Sequence, residues 1–148
     1  MKARTAATAA LTALLAGCAP TPGPGTAAVG VGAVLTFRVD VARTADEQRT
    51  GLSGRAGLPE GTGMLFTFGN RAERQVWMAG MKIPIDVAWI ANDQVRAVDT
   101  LHPCTETDQD QCPRWTSPGD VDALLEVPAG ALDGIKAGTP ITIREEAP

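Results

Sequence analysis

Apolar residues recur at every second position in several short stretches of this chain, which is the pattern of strands with one buried face. The clearest stretch is Leu35–Val41, where Leu, Phe and Val alternate with Thr, Arg and Asp. Asn92 and Asp93 separate two other stretches and predict a hairpin turn. Further strands are predicted for Met64–Phe68, Gln75–Met78, Ile83–Ile90, Gln94–Leu101, Ala123–Val127 and Pro140–Arg144.

Helical signals are few. Thr44 and Glu47 have the spacing of a capping box, which predicts a short helix over Ala45–Leu52 that ends at nearby glycines. One further helical turn is predicted for Ala129–Leu132. Many short strands separated by Gly and Pro, with one or two short helices, indicate a mainly β fold, either a compact sandwich or a partly open barrel.

Residues 1–18 have the layout of a bacterial lipoprotein signal. Lys2 and Arg4 precede the uncharged run Ala6–Ala16, and Leu15-Ala16-Gly17-Cys18 forms a lipobox. The run is too short to cross roughly 30 Å of hydrocarbon as a helix. We therefore predict that residues 1–17 are a cleaved signal peptide and that Cys18 carries the lipid of an extracytoplasmic, membrane-anchored protein. The alternative is an ordinary cleaved signal with an incidental cysteine.

Residues 18–33 are rich in Pro and Gly and carry no charge, which predicts a tether between the lipid and the folded part. Residues 34–148 contain no internal repeat and no second linker, so they are predicted to form a single β domain.

The charge balance argues against nucleic acid as a partner. The chain has 13 basic and 17 acidic residues, and two of the basic ones belong to the predicted signal peptide, so the mature net charge is about −6. No basic cluster remains in the mature chain, and membrane association would therefore depend on the acyl chains.

Cys104 and Cys112 are an even pair once Cys18 is assigned to the lipid. Because an exported protein matures in an oxidising compartment, we predict a disulfide between them. The alternative is a metal site that includes His102 and either Asp108 or Asp110, although their spacing matches no established zinc pattern.

Several motifs in the middle of the chain occur in a fixed order: Arg49-Thr50-Gly51-Leu52, Arg55, Gly63-Met64-Leu65-Phe66, Phe68, Trp77-Met78, Ile83-Pro84-Ile85-Asp86 and Leu125-Glu126-Val127. Over most of Phe37–Ile143, this order resembles the domain of unknown function 192 family. The resemblance implies a compact, mainly β domain that is often exported and has no established reaction. The chain departs from the family at Ala79-Gly80-Met81, where Lys-Asn-Thr is usual.

Two acidic residues interrupt apolar strands and are candidates for a site. Asp86 is costly to bury without a partner, and Arg49 and Arg55 are the candidate partners. Such a pair would either fix the helical segment to the sheet or form the polar floor of a ligand pocket beside Trp77. Glu126 raises the same question, and two acids in one pocket would support general acid/base hydrolysis.

A second group of residues has the chemistry of a copper site, since thioethers and an imidazole suit Cu(I). Its members are Met64, Trp77, Met78, Met81 and His102. The alternative is plain core packing, in which methionine fills gaps beside aromatic rings. We expect no cofactor and no resident metal.

The leading interpretation is a lipid-anchored binding or interaction module of the cell envelope, whose partner is an unknown small ligand or an envelope protein. A hydrolase that uses Asp86 and Glu126 and an envelope copper-handling protein are the two alternatives.

Overall fold

The computed structural model describes residues 25–146. These residues form nine strands, one α-helix (α1, Ala45–Thr50) and one 3-10 turn (Gln109–Gln111). The strands are β1 (Gly25–Val31), β2 (Leu35–Ala42), β3 (Thr62–Ala72), β4 (Gln75–Trp77), β5 (Ile85–Ala91), β6 (Gln94–Leu101), β7 (Arg114–Thr116), β8 (Val121–Pro128) and β9 (Ile141–Glu145).

Seven strands form one curled sheet in the order β6-β5-β8-β3-β2-β1-β9, and β4 and β7 form a separate two-stranded sheet. Neighbouring strands of the large sheet are antiparallel except β2 and β3, which are parallel. The curl brings the two edges together at one end, where the Ile141 N–H donates to the Asp93 carbonyl at 2.8 Å and the Val95 N–H donates to the Thr139 carbonyl at 2.9 Å. The fold is therefore a mainly β half-barrel, as the sequence predicted.

The predicted tether over residues 18–33 is partly wrong, because strand β1 lies within it. It pairs with β2 on one side and β9 on the other, so the part of the predicted tether from Gly25 to Val31 belongs to the folded domain. Ala27, Val29 and Val31 alternate with small residues and are fully buried. Their contribution to the core outweighs the flexibility of the intervening Gly30, which is why composition alone was misleading.

The predicted signal peptide, Cys18 and the remainder of the tether lie outside the described residues. Within residues 25–146, no helix has both the length and the apolar character needed to cross a membrane.

The large sheet is covered by apolar residues on both faces. The inner core, on the side toward which the sheet curls, contains residues of both edge strands together with Leu132 from the turn before β9. The outer core lies on the opposite face and includes Leu52, Phe66, Met78, Trp89 and Leu124. Burial on both faces explains why all seven residues of β5 are buried.

Helix α1 begins with the predicted capping box. The Glu47 N–H donates to the Thr44 hydroxyl at 3.2 Å, and the Thr44 N–H donates to the Glu47 carboxylate at 2.8 Å. Hydrogen bonds from the backbone N–H groups of Thr44 and Arg43 lower the pKa of Glu47. The helix ends at Thr50, two residues earlier than predicted, because Gly51 adopts a φ of 48°. Leu52 then packs into the outer core.

The predicted hairpin turn between β5 and β6 is confirmed. Asn92 and Asp93 both have positive φ, at 54° and 55°, as the two central residues of a type I′ turn require. Strand β5 begins after Pro84, which cannot donate to the ladder. Strand β7 was not predicted, and the segment Ala129–Leu132 forms a turn rather than helix.

Candidate ligand-binding site

A cavity of about 720 Å³ lies on the outer face of the large sheet, beneath α1, β4 and the loops that follow them. Its walls combine apolar residues, among them Leu52, Phe66, Phe68, Val76, Met78 and Leu124, with polar and charged residues such as Gln48, Glu73 and Gln75. Cavities of this size are typical of small-molecule sites.

Glu126 lies at the floor of this cavity, on the central strand β8. In the strand register it is opposite Met64 of β3 and Val87 of β5, so its carboxyl points to the outer face between apolar neighbours. Its residue surface is only 6% exposed. Burial raises the pKa of Glu126 to about 8, which keeps the carboxyl neutral at pH 7.

The carboxyl of Glu126 has no hydrogen-bond or ion-pair partner in the described part of the chain. A buried carboxyl is normally paired, because burial without a partner costs free energy. Strand β3 lies close to the backbone of β8 at this point, because a Cβ on Gly63 would overlap the carbonyl oxygen of Glu126. The sheet therefore holds this side chain in place with its carboxyl facing the cavity.

Arg74 forms part of the cavity wall. Its guanidinium lies 4.2 Å from the centroid of the Phe68 ring and donates to the backbone carbonyl and side-chain oxygen of Asn70, at 2.7 and 3.0 Å. The Nε atom of Arg74 is buried and finds no hydrogen-bond partner among residues 25–146. No motif in the sequence marks Arg74, which lies in the connection between β3 and β4.

Trp77 lies at the mouth of the cavity and is 36% exposed. It pairs with Arg114 in the β4–β7 ladder, and the guanidinium of Arg114 lies 4.3 Å from the centroid of its ring. This cation–π contact fixes the indole at the edge of the site.

The disulfide between Cys104 and Cys112 is confirmed. The two thiols are consumed in this bond, so they cannot be metal ligands with His102, and no group of three or more His, Cys, Asp or Glu residues within residues 25–146 could hold a metal ion. The Cys104 N–H donates to the Met78 carbonyl at 3.4 Å, and Gln109, inside the disulfide loop, lines the cavity. The crosslinked loop therefore forms one side of the cavity mouth.

Three of the five predicted pocket residues line the cavity: Arg49, Trp77 and Glu126. Arg49 lies at the rim, where its exposed side chain forms an ion pair with Asp46 at 2.6 Å. Arg55 does not line the cavity and instead forms an ion pair at 2.8 Å with a carboxylate of β2, that of Asp40.

The contacts of Asp86 differ from those predicted. The residue is 1% exposed, and its carboxyl accepts hydrogen bonds from the Thr100 hydroxyl at 2.7 Å and the Leu132 N–H at 2.9 Å. The expected pairing with Arg49 or Arg55 is therefore wrong, because both arginines have acidic partners closer in sequence. Asp86 instead holds the turn before β9 against the sheet.

Asp86 and Glu126 also lie on opposite faces of the sheet. In the β5–β8 register, Glu126 is opposite Val87, whereas Asp86 is opposite Val127. Because successive side chains of a strand point to opposite faces, the two carboxyls are separated by the sheet itself. The prediction that they share one pocket, and the hydrolase that depended on it, are therefore not supported by the geometry.

The methionine-rich group is divided in a similar way. Trp77, Met78 and Met81 line the cavity, whereas Met64 is packed in the outer core and does not line it. His102 is exposed and is not among the lining residues. The sulfur atoms and the imidazole are thus not brought together in the cavity, and core packing accounts for the buried methionines.

The fold and the cavity define a β half-barrel domain with a carboxyl at the floor of a partly apolar pocket, and this carboxyl has no partner among residues 25–146. The chain belongs to the domain of unknown function 192 family, described as "Uncharacterized ACR", whose model matches residues 27–143. A comparison with curated proteins finds no match.

Two solved structures have a similar fold. A proposed transcription regulator from Sinorhizobium meliloti 1021 is 23% identical, with a TM-score of 0.74, and the match covers 83% of this chain and 97% of that one. A protein of unknown function from Novosphingobium aromaticivorans DSM 12444 is 28% identical, with a TM-score of 0.72, covering 91% and 99% of the two chains. These likenesses establish the fold and leave the activity open.

Proposed function

We propose that this protein is a lipid-anchored binding module of the cell envelope that holds a small molecule in the cavity above Glu126. The lipobox ending at Cys18 supports the anchor, and the Cys104–Cys112 disulfide is compatible with an oxidising, extracytoplasmic compartment. Nucleic acid does not fit the acidic charge balance of the chain, whatever the description of the Sinorhizobium protein.

The observation that carries this proposal is the carboxyl of Glu126 at the cavity floor, which finds no partner in the described part of the chain. A residue needed only for packing at this position would be apolar, like its neighbours Met64 and Val87 on the same face of the sheet. A buried polar group without a partner destabilises the fold, and such destabilising groups are concentrated at functional sites. Ligand binding would supply the missing partner.

The methionines that line the cavity provide a direct test. In protein labelled with 13C at the methionine methyl groups, a ligand in the cavity should shift the NMR signals of Met78 and Met81. We expect this response from members of a library of small apolar amines, alcohols and acids. If no member of the library shifts these two signals, the proposed binding function is wrong.

A matched pair of substitutions controls the test. Ala79→Trp fills the cavity and should abolish binding. Ala129→Trp places the same side chain on an exposed turn that lines a different cavity, and it should leave binding unchanged. Binding that survives Ala79→Trp would show that the fragments bind elsewhere.

The anchor is tested separately. Cys18→Ser removes the acceptor thiol, so the protein should move from the membrane fraction to the soluble extracytoplasmic fraction. A variant that stayed in the membrane after washing with salt and carbonate would contradict the lipoprotein assignment.

A further inference from the structure

We infer that the ligand of this cavity is an elongated organic carboxylate, whose anionic end meets Arg74 and whose far end brings a hydroxyl group to Glu126. This inference rests on the proposed function and names the chemical class that the site selects.

Arg74 is the cation that the cavity offers to a ligand. Its Nη2 group donates to Asn70, whereas no residue between 25 and 146 accepts a hydrogen bond from its Nη1 group or from its buried Nε atom. It also forms no ion pair within this part of the chain. An anionic ligand would supply the acceptor, and hydrogen bonds between ionised groups are roughly twice as strong as neutral ones.

The charges around the cavity match a single negative charge. Apart from Arg74, the lining residues that are charged at pH 7 are Arg49 and Glu73. Arg49 is paired with Asp46, and Glu73 is exposed to solvent, which screens its charge. One guanidinium therefore remains for the ligand. A monocarboxylate matches its charge, whereas a phosphate dianion would bring a second charge without a partner in this lining.

Glu126 and Arg74 mark two separate ends of the site. Glu126 is opposite Met64 in the β3–β8 register. Phe68, the ring on which Arg74 stacks, lies four residues further along β3 than Met64. At about 3.3 Å per residue, the backbone positions beneath the two ends are roughly 13 Å apart. A ligand that meets both therefore has an elongated shape and a polar group at each end.

Apolar side chains lie between the two ends. Phe66 is midway between Met64 and Phe68 on β3, and Leu124 is opposite Phe66 on β8. Phe66 and Leu124 are buried, and both line the cavity. The middle of the ligand is therefore apolar, and a hydrocarbon or aromatic body fits it.

The carboxyl of Glu126 selects the group at the far end of the ligand. Burial raises its pKa to about 8, so at pH 7 the neutral carboxyl both donates and accepts hydrogen bonds. A hydroxyl group on the ligand also donates and accepts, and the two groups therefore satisfy each other. A second carboxylate at this end would lose its hydration among apolar neighbours, at a cost in free energy.

Four probes separate the contributions of the two ends: 3-(4-hydroxyphenyl)propionate, 3-phenylpropionate, 4-ethylphenol and tyramine. The first has both polar groups, the second lacks the hydroxyl, and the third lacks the carboxylate. Tyramine has an ammonium group in place of the carboxylate. Binding at pH 7 is measured from the Met78 and Met81 methyl signals of the wild type and of four variants.

In the wild type, we expect 3-(4-hydroxyphenyl)propionate to bind at least about tenfold more tightly than 4-ethylphenol or tyramine. It should also bind about threefold or more tightly than 3-phenylpropionate, because a neutral hydrogen bond contributes less than a charged one. This comparison uses the wild type alone, so it does not depend on the folding of a variant.

Arg74→Met keeps an apolar stem over Phe68 and removes the charge. It should weaken the binding of both acids at least about tenfold and leave that of 4-ethylphenol unchanged. Arg96→Met causes the same change in net charge at an exposed residue that does not line the cavity, and it should leave every affinity unchanged.

Glu126→Leu tests the other end of the site. It should remove the advantage of 3-(4-hydroxyphenyl)propionate over 3-phenylpropionate without weakening the latter. Glu126→Gln keeps a donor and an acceptor, so it should retain most of that advantage.

Three results would overturn this inference while leaving the proposed function intact. The first is binding of tyramine or 4-ethylphenol as tight as that of 3-(4-hydroxyphenyl)propionate. The second is acid binding that Arg74→Met does not weaken, or that Arg96→Met weakens equally. The third is a hydroxyl group that adds no affinity in the wild type, or whose contribution survives Glu126→Leu.

The outcome for the library of small molecules separates the two proposals. If none of the four probes shifts Met78 and Met81 while other library members do, the hydroxy acid is excluded and the binding function stands. If no library member does, the proposed binding function itself fails.

Discussion

The buried carboxyl of Glu126 should make the stability of the free protein depend on pH in an unusual direction. In the unfolded chain this group has its ordinary pKa of 4.5, whereas in the folded protein burial raises it to about 8. Between these values the folded state binds one proton more than the unfolded state. Stability that is fully present below about pH 4.5 is therefore lost as the pH rises toward 8.

The size of the effect follows from the two pKa values. Each unit of difference corresponds to about 1.4 kcal/mol of unfolding free energy, so the full loss approaches roughly 5 kcal/mol. Most of it, roughly 3 to 4 kcal/mol, falls between pH 5 and pH 8. This is a large share of the 5 to 15 kcal/mol that is typical of whole domains.

Urea denaturation of the wild type, Glu126→Gln and Glu60→Gln at pH 5 to 9 measures this effect. The glutamine at position 126 cannot ionise, so its stability relative to the wild type should rise by roughly 3 to 4 kcal/mol between pH 5 and pH 8. Other titrating groups cancel in this difference. Glu60 is exposed, and the difference for its variant should not change with pH. A difference for Glu126→Gln that stayed constant across this range would refute the reasoning.

Two further predictions concern structural contacts. Asp86→Ala leaves the buried N–H of Leu132 without its acceptor, so it should lower the unfolding free energy by roughly 2 to 4 kcal/mol and speed hydrogen exchange in the turn before β9. Asp86→Asn keeps one acceptor oxygen and should lower the unfolding free energy less. Equal losses of stability in the two variants would contradict the hydrogen-bonding role of Asp86. Replacing Cys104 and Cys112 together by Ala should cost roughly 2.5 kcal/mol in thermal or urea melts without abolishing the fold. An unchanged melting temperature would show that the disulfide does not stabilise the fold by restricting the conformations of the unfolded chain.

Local patterns in the sequence determined most of the secondary structure. The alternation in β2, the capping box at Thr44 and Glu47, and the turn at Asn92 and Asp93 each depend on residues a few positions apart. Such short-range signals can be read without the fold. The disulfide could also be predicted, because two cysteines near each other in a chain predicted to be exported have few other roles.

Strand β1 could not be predicted from such local patterns. Its residues are small and include two glycines, so local composition suggested a tether. Only pairing with β2 and β9, the latter more than a hundred residues away in sequence, makes this segment a buried strand. Its stability is therefore a property of the sheet rather than of the segment.

The division of roles between Asp86 and Glu126 was decided by the tertiary structure. In sequence, each is an acid between apolar residues, and nothing local distinguishes them. The β5–β8 register places them on opposite faces, where Asp86 meets two hydrogen-bond donors and Glu126 meets an open cavity. The sequence by itself showed that both acids interrupt apolar strands, whereas the register and the long-range contacts decided which one is hydrogen-bonded within the fold and which one faces the cavity. The physical reason is that a carboxyl's role depends on the groups around it, and those groups come from distant parts of the chain.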